Sequence, residues 1–289
     1  MTRVAIVTDS AADLPPVVAA SAGIAVVPLT VTFGPESFRA GVNLTTDEFW
    51  QRMTARDAPF PTTAASSPGD FHAAFEAAFA AGAEAVVCVD IAETLSGTIR
   101  SARVARDMLG DREVHVVDSG TASMGAGLLA LLGARMAAAG LDGAEIAATL
   151  ERRASDVDLY VALDTLEYLR RGGRISGAQA TIGNLLSVKP IITVTEGHVT
   201  TADRVRTRSK ARERVLELLT HRPIEQAALL YAPPADIDAF QAAFVERSGF
   251  EPASLLRMPI GPSVGPHVGP GCYGGVVLYR EREAAVEPR

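Results

Sequence analysis

Four short segments of this chain carry the residue types that could do chemistry, and each sets a polar or cationic side chain in a turn. Ser96, Gly97 and Thr98 follow the apolar run Ala85 to Ile91 and precede a helical pattern through Ala102 to Leu109. In an open α/β sheet such a turn lies at the carboxyl ends of the strands, where ligands collect. The first N–H groups of the helix have no partner within it and the helix dipole favours negative charge, so a carboxylate or phosphate is the natural guest. A plain helix cap at Ser96 or Thr98 explains the same triplet without a ligand. Thr62 and Thr63 lie in a loop ahead of the capping-box sequence Ser67 to Asp70 and can turn a hydroxyl toward the same point, or are simply polar loop residues.

Two further segments add cationic or titratable groups. Leu166 to Ser176 reads LEYLRRGGRIS; the paired glycines suit a left-handed helix end, and Arg174 after that bend offers a fixed fork for a carboxylate or phosphate, or a surface ion pair. Gly261 to Gly275 reads GPSVGPHVGPGCYGG, in which glycines and prolines hold the backbone around His267. That histidine is either positioned for a ligand or buried against backbone. Ser96 with His267 also permits a hydrolase-like reading, but Ser96 lacks the G-x-S-x-G elbow and no acid is placed to orient the histidine. Arg204, Arg206 and Arg208 alternate, so an extended segment would put them on one sheet face, as a solvated surface or as a docking patch for an acidic partner or phosphate.

The elements that must position these residues follow two grammars. A strand over Val4 to Val7 leads into Asp13, read as the cap of a helix with Pro15 and Pro16 in its first turn; Gly23 closes that helix and Ile24 to Phe33 is the next β-rich run. Phe38 to Thr63 is expected to be largely loop around a short helix near Asp47 to Met53. Phe71, Phe75 and Phe79 mark the apolar face of the next helix, and Ala85 to Ile91 and Val114 to Val117 are strands leading to helices, the second an Ala-rich buried one from Met124 to Ala139. Alternation of this kind implies a parallel, doubly wound sheet. After a boundary placed near residue 155, Leu159 to Leu163 reads as a strand, Asp164 to Arg170 as a short helix, and Pro190 to Val194 with Val199 to Val205 as a hairpin. The expected fold is therefore α/β: a Rossmann-like domain over 1–154 and an α+β domain with a mixed sheet over 155–289.

Composition narrows the function. The chain has 289 residues, 48% hydrophobic and 21% charged, enough for two ordinary cores. A net charge of −7 argues against nucleic acid as a partner, since a phosphate backbone calls for a basic face. Cys88 and Cys272 have no metal-ligand spacing and read as small core residues, and no cofactor is expected. The apolar run after the N-terminus is too short for a signal peptide and no segment suits a bilayer span, so a cytoplasmic location with peripheral membrane contact at most is expected.

Six segments, in order, resemble the DegV family: VAIVTDSAADLP (Val4 to Pro15), TTAASSPGDF (Thr62 to Phe71), ETLSGTIRSA (Glu93 to Ala102), DTLEYLRRGGRIS (Asp164 to Ser176), VKPII (Val188 to Ile192) and IGPSVGPHVGPG (Ile260 to Gly271). The resemblance implies a protein similar to the fatty-acid-binding subunit of bacterial fatty acid kinase, holding one long-chain fatty acid between the two domains. It would present the carboxylate to a separate kinase subunit resembling dihydroxyacetone kinase, for acyl-phosphate formation. The carboxylate-holding hydroxyls fall by motif on Thr63 and Ser96, with the Gly97 amide beside them and Arg174 and His267 brought toward the same end, where a protonated His267 or Arg174 would supply the cation; Arg204, Arg206 and Arg208 are the candidate kinase-docking residues. The family motif carries a second hydroxyl where this chain has Ala64, which bears on head-group affinity. No Walker-type loop or kinase signature is present, so phosphoryl transfer falls to the partner. A binder of another amphipathic carboxylic acid and a Ser/His hydrolase are the alternatives.

Overall fold

The computed structural model describes residues 3–175, 188–235 and 237–281; Ser176, the last residue of the glycine-arginine motif, lies outside them. The first half runs β1 (Val4–Asp9), α1 (Pro16–Ser21), β2 (Ile24–Val27), β3 (Thr30–Phe33), β4 (Glu36–Arg39), α2 (Thr46–Met53), β5 (Thr62–Ala64), α3 (Pro68–Ala80), β6 (Ala85–Asp90), α4 (Thr98–Met108), β7 (Glu113–Asp118), α5 (Met124–Ala138) and α6 (Gly143–Arg153). The second half runs β8 (Val157–Ala162), α7 (Glu167–Arg171), β9 (Lys189–Thr195), β10 (His198–Val205), α8 (Arg208–Leu219), β11 (Ile224–Tyr231), α9 (Ile237–Ser248), β12 (Leu256–Pro259), α10 (Gly265–Val268) and β13 (Tyr273–Tyr279).

Continuous apolar runs become strands covered on both faces. β6 is buried along its whole length at the centre of a parallel sheet ordered β2-β1-β6-β7. Val7, Val86 and Cys88 face Phe71 and Phe75 of α3 and Ala102 of α4, while Ile6, Val87 and Val89 face α5 and α6. The order reverses between β1 and β6, so the loops leaving these strands bound the crevice where α/β sheets take ligands. The second sheet, β10-β9-β8-β13-β11-β12, is antiparallel throughout except for β11 with β12. Its hairpin turns on Glu196 (φ 49°) and Gly197 (φ 76°), the left-handed pair that a two-residue hairpin requires.

The helix α5 lies between the sheets and carries the buried character its Ala/Gly-rich sequence implies. Gly127 permits that fit: a Cβ there would stand 2.9 Å from the Ala12 carbonyl oxygen. Leu128 and Leu129 belong to one continuous core with Ile6 and Val87 of the parallel sheet and Leu159, Val161 and Leu230 of the mixed sheet. Cys88 and Cys272 are buried free thiols. Among the described residues no helix is long and apolar enough to cross a membrane.

Three local expectations are corrected. Asp13 does not cap α1, whose N-cap is Pro15; it ends a short 3-10 turn in left-handed conformation (φ 51°) and turns inward. Ile24 to Phe33 is two strands in two sheets, because Pro28 has no N–H to donate and the Leu29 N–H goes to Ser10 Oγ at 2.8 Å. The stretch from Phe38 to Thr63 is less loop-like than its prolines suggest, since β4 and β5 flank β3 in a small antiparallel sheet.

Candidate functional site

A cavity runs between the two sheets, with about 110 Å3 open to the centres of water molecules. Its walls are mostly hydrocarbon: Leu29, Ile91 and Leu95 from the first half, Leu159, Val161 and Ile192 from the second. These β8 and β9 residues are the inward members of alternating strands.

Thr63, Ser96, Gly97, Arg174 and His267 all line this cavity, and a chain of contacts joins them. Thr63 Oγ1 lies 3.0 Å from His267 Nε2. Arg174 stands close enough to His267 for its charge to bear on the ring. The Arg174 guanidinium donates from Nε to the Leu95 carbonyl at 3.1 Å and from Nη1 to the Gly172 carbonyl at 2.7 Å. Leu95 adjoins Ser96, and a Cβ on Gly97 would stand 3.7 Å from Ala65 Cβ, which returns to the Thr63 strand. Residues from four separate segments thus meet on the lining of a mostly apolar space.

Each side chain is set by its element. Ser96 accepts from Thr98 N at 3.3 Å and its Oγ lies 2.5 Å from Thr98 Oγ1, so it serves the start of α4 as a capping residue does and also faces the cavity. The Gly97 N–H finds no acceptor among the described residues and stays available at the helix N-terminus. Among the described residues Arg174 has no carboxylate partner, and its Nη2 meets no acceptor. His267 sits in α10 where glycine neighbours let α7 approach; a Cβ on Gly172 would overlap Nδ1.

Burial, then the Arg174 charge, hold His267 down to about 4. Of the two cations expected as alternatives at this end, Arg174 remains, because the His267 ring is neutral near pH 7. Nδ1 is buried without a partner among the described residues. An orphaned N–H is rarer and costlier than an orphaned acceptor, so the proton belongs on Nε2, donated to Thr63 Oγ1. That bond leaves the Thr63 O–H free to donate into the cavity.

Ala64 is exposed and is not part of the lining, whereas Thr63 and Ala65 on either side of it are. The arginine run is also redrawn. β10 ends at Val205 because Thr207 caps α8 by accepting from Lys210 N at 3.2 Å, so Arg204, Arg206 and Arg208 share no sheet face. Arg204 Nε is buried without a partner among the described residues, Arg206 is exposed, and Arg208 pairs with Asp164.

Several buried acids escaped sequence reasoning. Asp9 accepts from the N–H of Ala11 at 2.6 Å and of Ile91 at 3.3 Å, tying down two residues of the cavity wall. Burial raises its carboxyl, and burial with the Asp9 charge raises Asp90 beside it. Asp13, pushed up to about 7 by burial, joins Ser123 and Gly261. Nothing local in the sequence names their distant partners, Ile91 for Asp9 and Ser123 and Gly261 for Asp13. No group of acids, histidines and cysteines among the described residues could hold a metal ion.

Comparison with known proteins agrees with this architecture. Residues 3–280 match the family model described as "Uncharacterised protein, DegV family". A DegV domain-containing protein of Caldanaerobacter subterraneus subsp. tengcongensis is 33% identical over 98% of this chain and 100% of its own length. Among solved structures, a DegV family protein from Thermus thermophilus, described by its fatty acid binding, superposes with a TM-score of 0.87 at 36% identity, covering 96% of this chain and 100% of that one. DegV from Bacillus subtilis, described as a fatty acid binding protein, superposes with a TM-score of 0.83 at 30% identity, covering 96% and 99%. With the match running through both sheets and every segment that lines the cavity, the chain belongs to the DegV family.

Proposed function

We propose that this protein binds one long-chain fatty acid between a domain of residues 1–154 and a domain of residues 155–289, and presents its carboxylate to a separate kinase subunit. One observation carries the reading: a mostly apolar cavity whose lining brings together the donors Thr63, Ser96, the Gly97 amide and Arg174. A buried carboxylate needs several donors to offset its desolvation, whereas an acyl chain needs only hydrocarbon walls. The fatty acid binding described for the Thermus thermophilus and Bacillus subtilis relatives supports the same ligand class. The kinase, a subunit resembling dihydroxyacetone kinase, and acyl-phosphate formation rest on the family resemblance, and a cytoplasmic location follows from them. Of the three arginines considered for docking, Arg206 is the exposed one without a partner among the described residues, so it leads that assignment.

The hydrolase reading loses ground on geometry. His267 bonds Thr63 rather than Ser96, and its Nδ1 meets no carboxylate among the described residues. The proposal is tested by denaturing extraction of purified protein and mass spectrometry of the extract. About one long-chain fatty acid per chain is expected, because a mostly apolar cavity is costly to fill with water. Folded protein that yields no lipid, and whose thermal midpoint fatty acids do not raise, would refute it.

A further inference from the structure

One wall of the cavity is held by the opposite half of the molecule. Ile260, Ser263, Val264, His267 and Val268 all line it, and this segment follows β12 in the mixed sheet. Its first residues bond across to the parallel-sheet half. Trp50 Nε1 donates to the Ile260 carbonyl at 2.8 Å, and Ser10 Oγ lies 2.8 Å from Ser263 Oγ. Between them, Asp13 Oδ1 accepts from the Gly261 N–H at 2.9 Å while its Oδ2 accepts from Ser123 Oγ at 2.6 Å. The approach is close enough to require glycine, since a Cβ on Gly261 would stand 2.7 Å from Asp13 Oδ1.

Gly261 is also where the His267 turn begins. Its carbonyl accepts from Val264 N at 3.2 Å and Gly265 N at 2.8 Å, and the Val264 carbonyl accepts from His267 N at 2.9 Å. Whatever fixes Gly261 therefore fixes the height at which His267 meets Thr63. No cation contacts Asp13 among the described residues, so its hydrogen bonds to the loop and the wall are what it contributes.

We propose that Asp13 is a positioning residue that clasps the 260–268 wall onto the parallel-sheet half, and that release of this clasp governs how fast a bound acyl chain leaves. The inference rests on the fatty-acid reading for its ligand and on Asp13's two bonds for its mechanism. Most effects of altered closure fall on the dissociation rate.

The test compares Asp13→Ala and Asp13→Asn with the wild type, using the fluorescent fatty acid cis-parinaric acid in stopped-flow association and displacement. Asn can accept from Gly261 N and donate to Ser123 Oγ, so it preserves both links; Ala preserves neither. Asp13→Ala is expected to dissociate at least about tenfold faster with little change in association, and Asp13→Asn to stay within about threefold of wild type. A folded Asp13→Ala whose dissociation is unchanged, or an Asn variant as fast as Ala, overturns the proposal. Should Asp13→Ala not fold, Trp50→Phe decides: it releases the neighbouring Ile260 link and must also speed dissociation, or the clasp is wrong. Amide hydrogen exchange of residues 260–268 reads the clasp without lipid. Faster exchange there in Asp13→Ala, with no parinaric acid bound by wild type, would sink the fatty-acid reading and keep the clasp; unchanged exchange would sink the clasp itself.

Discussion

Thr63→Val is the sharpest test of how the head group is held. Valine keeps the β-branched shape that pairs with Val31 in the small sheet, so the strand should survive while the hydroxyl is lost. Two contacts go at once. The first is the O–H that the His267 tautomer leaves free to donate to a carboxylate; a hydrogen bond to a charged acceptor contributes ~1.5–3 kcal/mol, or roughly ten- to a hundredfold in affinity. The second is the acceptor of His267 Nε2, 3.0 Å away. With Nδ1 already unpartnered, the ring would have neither nitrogen satisfied, at a cost of ~1–3 kcal/mol to the fold with or without ligand. The variant should therefore show a lower thermal midpoint without lipid and, separately, a Kd for oleate raised by roughly ten- to a hundredfold, read by displacement of parinaric acid. Thr63→Ser should recover most of both. If Thr63→Val lowered the midpoint but bound oleate as wild type does, Thr63 would be a structural partner of His267 and its place among the carboxylate donors would be lost.

Other expectations follow from the same geometry. Ser96→Ala should weaken binding by roughly ten- to a hundredfold, whereas Arg174→Ala should fall more heavily on turnover by a cognate kinase, where acyl phosphate brings added negative charge; an Arg174→Ala that loses affinity as badly as Ser96→Ala with normal turnover at saturating lipid contradicts this division. The contribution of Asp13 to stability should fall as pH rises. Asp13 has a carboxyl raised from 3.8 to about 7, so between those values the folded chain keeps a proton that the unfolded chain releases, and the loss is complete above the folded value. The full span corresponds to at most ~4 kcal/mol, and Asp13→Asn should flatten the decline in urea midpoint from about pH 5 to about pH 8. Equal slopes for the two proteins would remove Asp13 as its source.

What could be read in the sequence was what short-range rules control. The parallel sheet followed from continuous apolar runs, the β9–β10 turn from Glu196 and Gly197, and α3 from the Ser67 to Asp70 capping box. Ser96, Arg174 and His267 stood out because glycine and turn chemistry constrain the backbone around them. The arginine run was misjudged because one signal was passed over: Thr207 is a cap, and it ends the strand that would have aligned Arg204 with Arg206 and Arg208.

Other features depended on partners that no local pattern names. Val161 and Ile192 alternate in their strands as any core residue does, so nothing marks them as walls of a cavity. Asp13 looked like a helix cap because Asp ahead of two prolines normally is one; its real partner, Gly261, is 248 residues away. The distinction has a physical basis. A cap satisfies donors within its own turn, whereas a carboxylate in the left-handed position after a 3-10 turn points away from the helix it precedes. In the interior it must then find donors from other segments, because an unpartnered buried carboxylate is too costly to keep. Asp13 finds one in the first half and one in the second. The need to satisfy it thus adds a link between the two halves beside the cavity, and a hydrophobic residue of similar size would fill the space without fixing the register of the His267 turn.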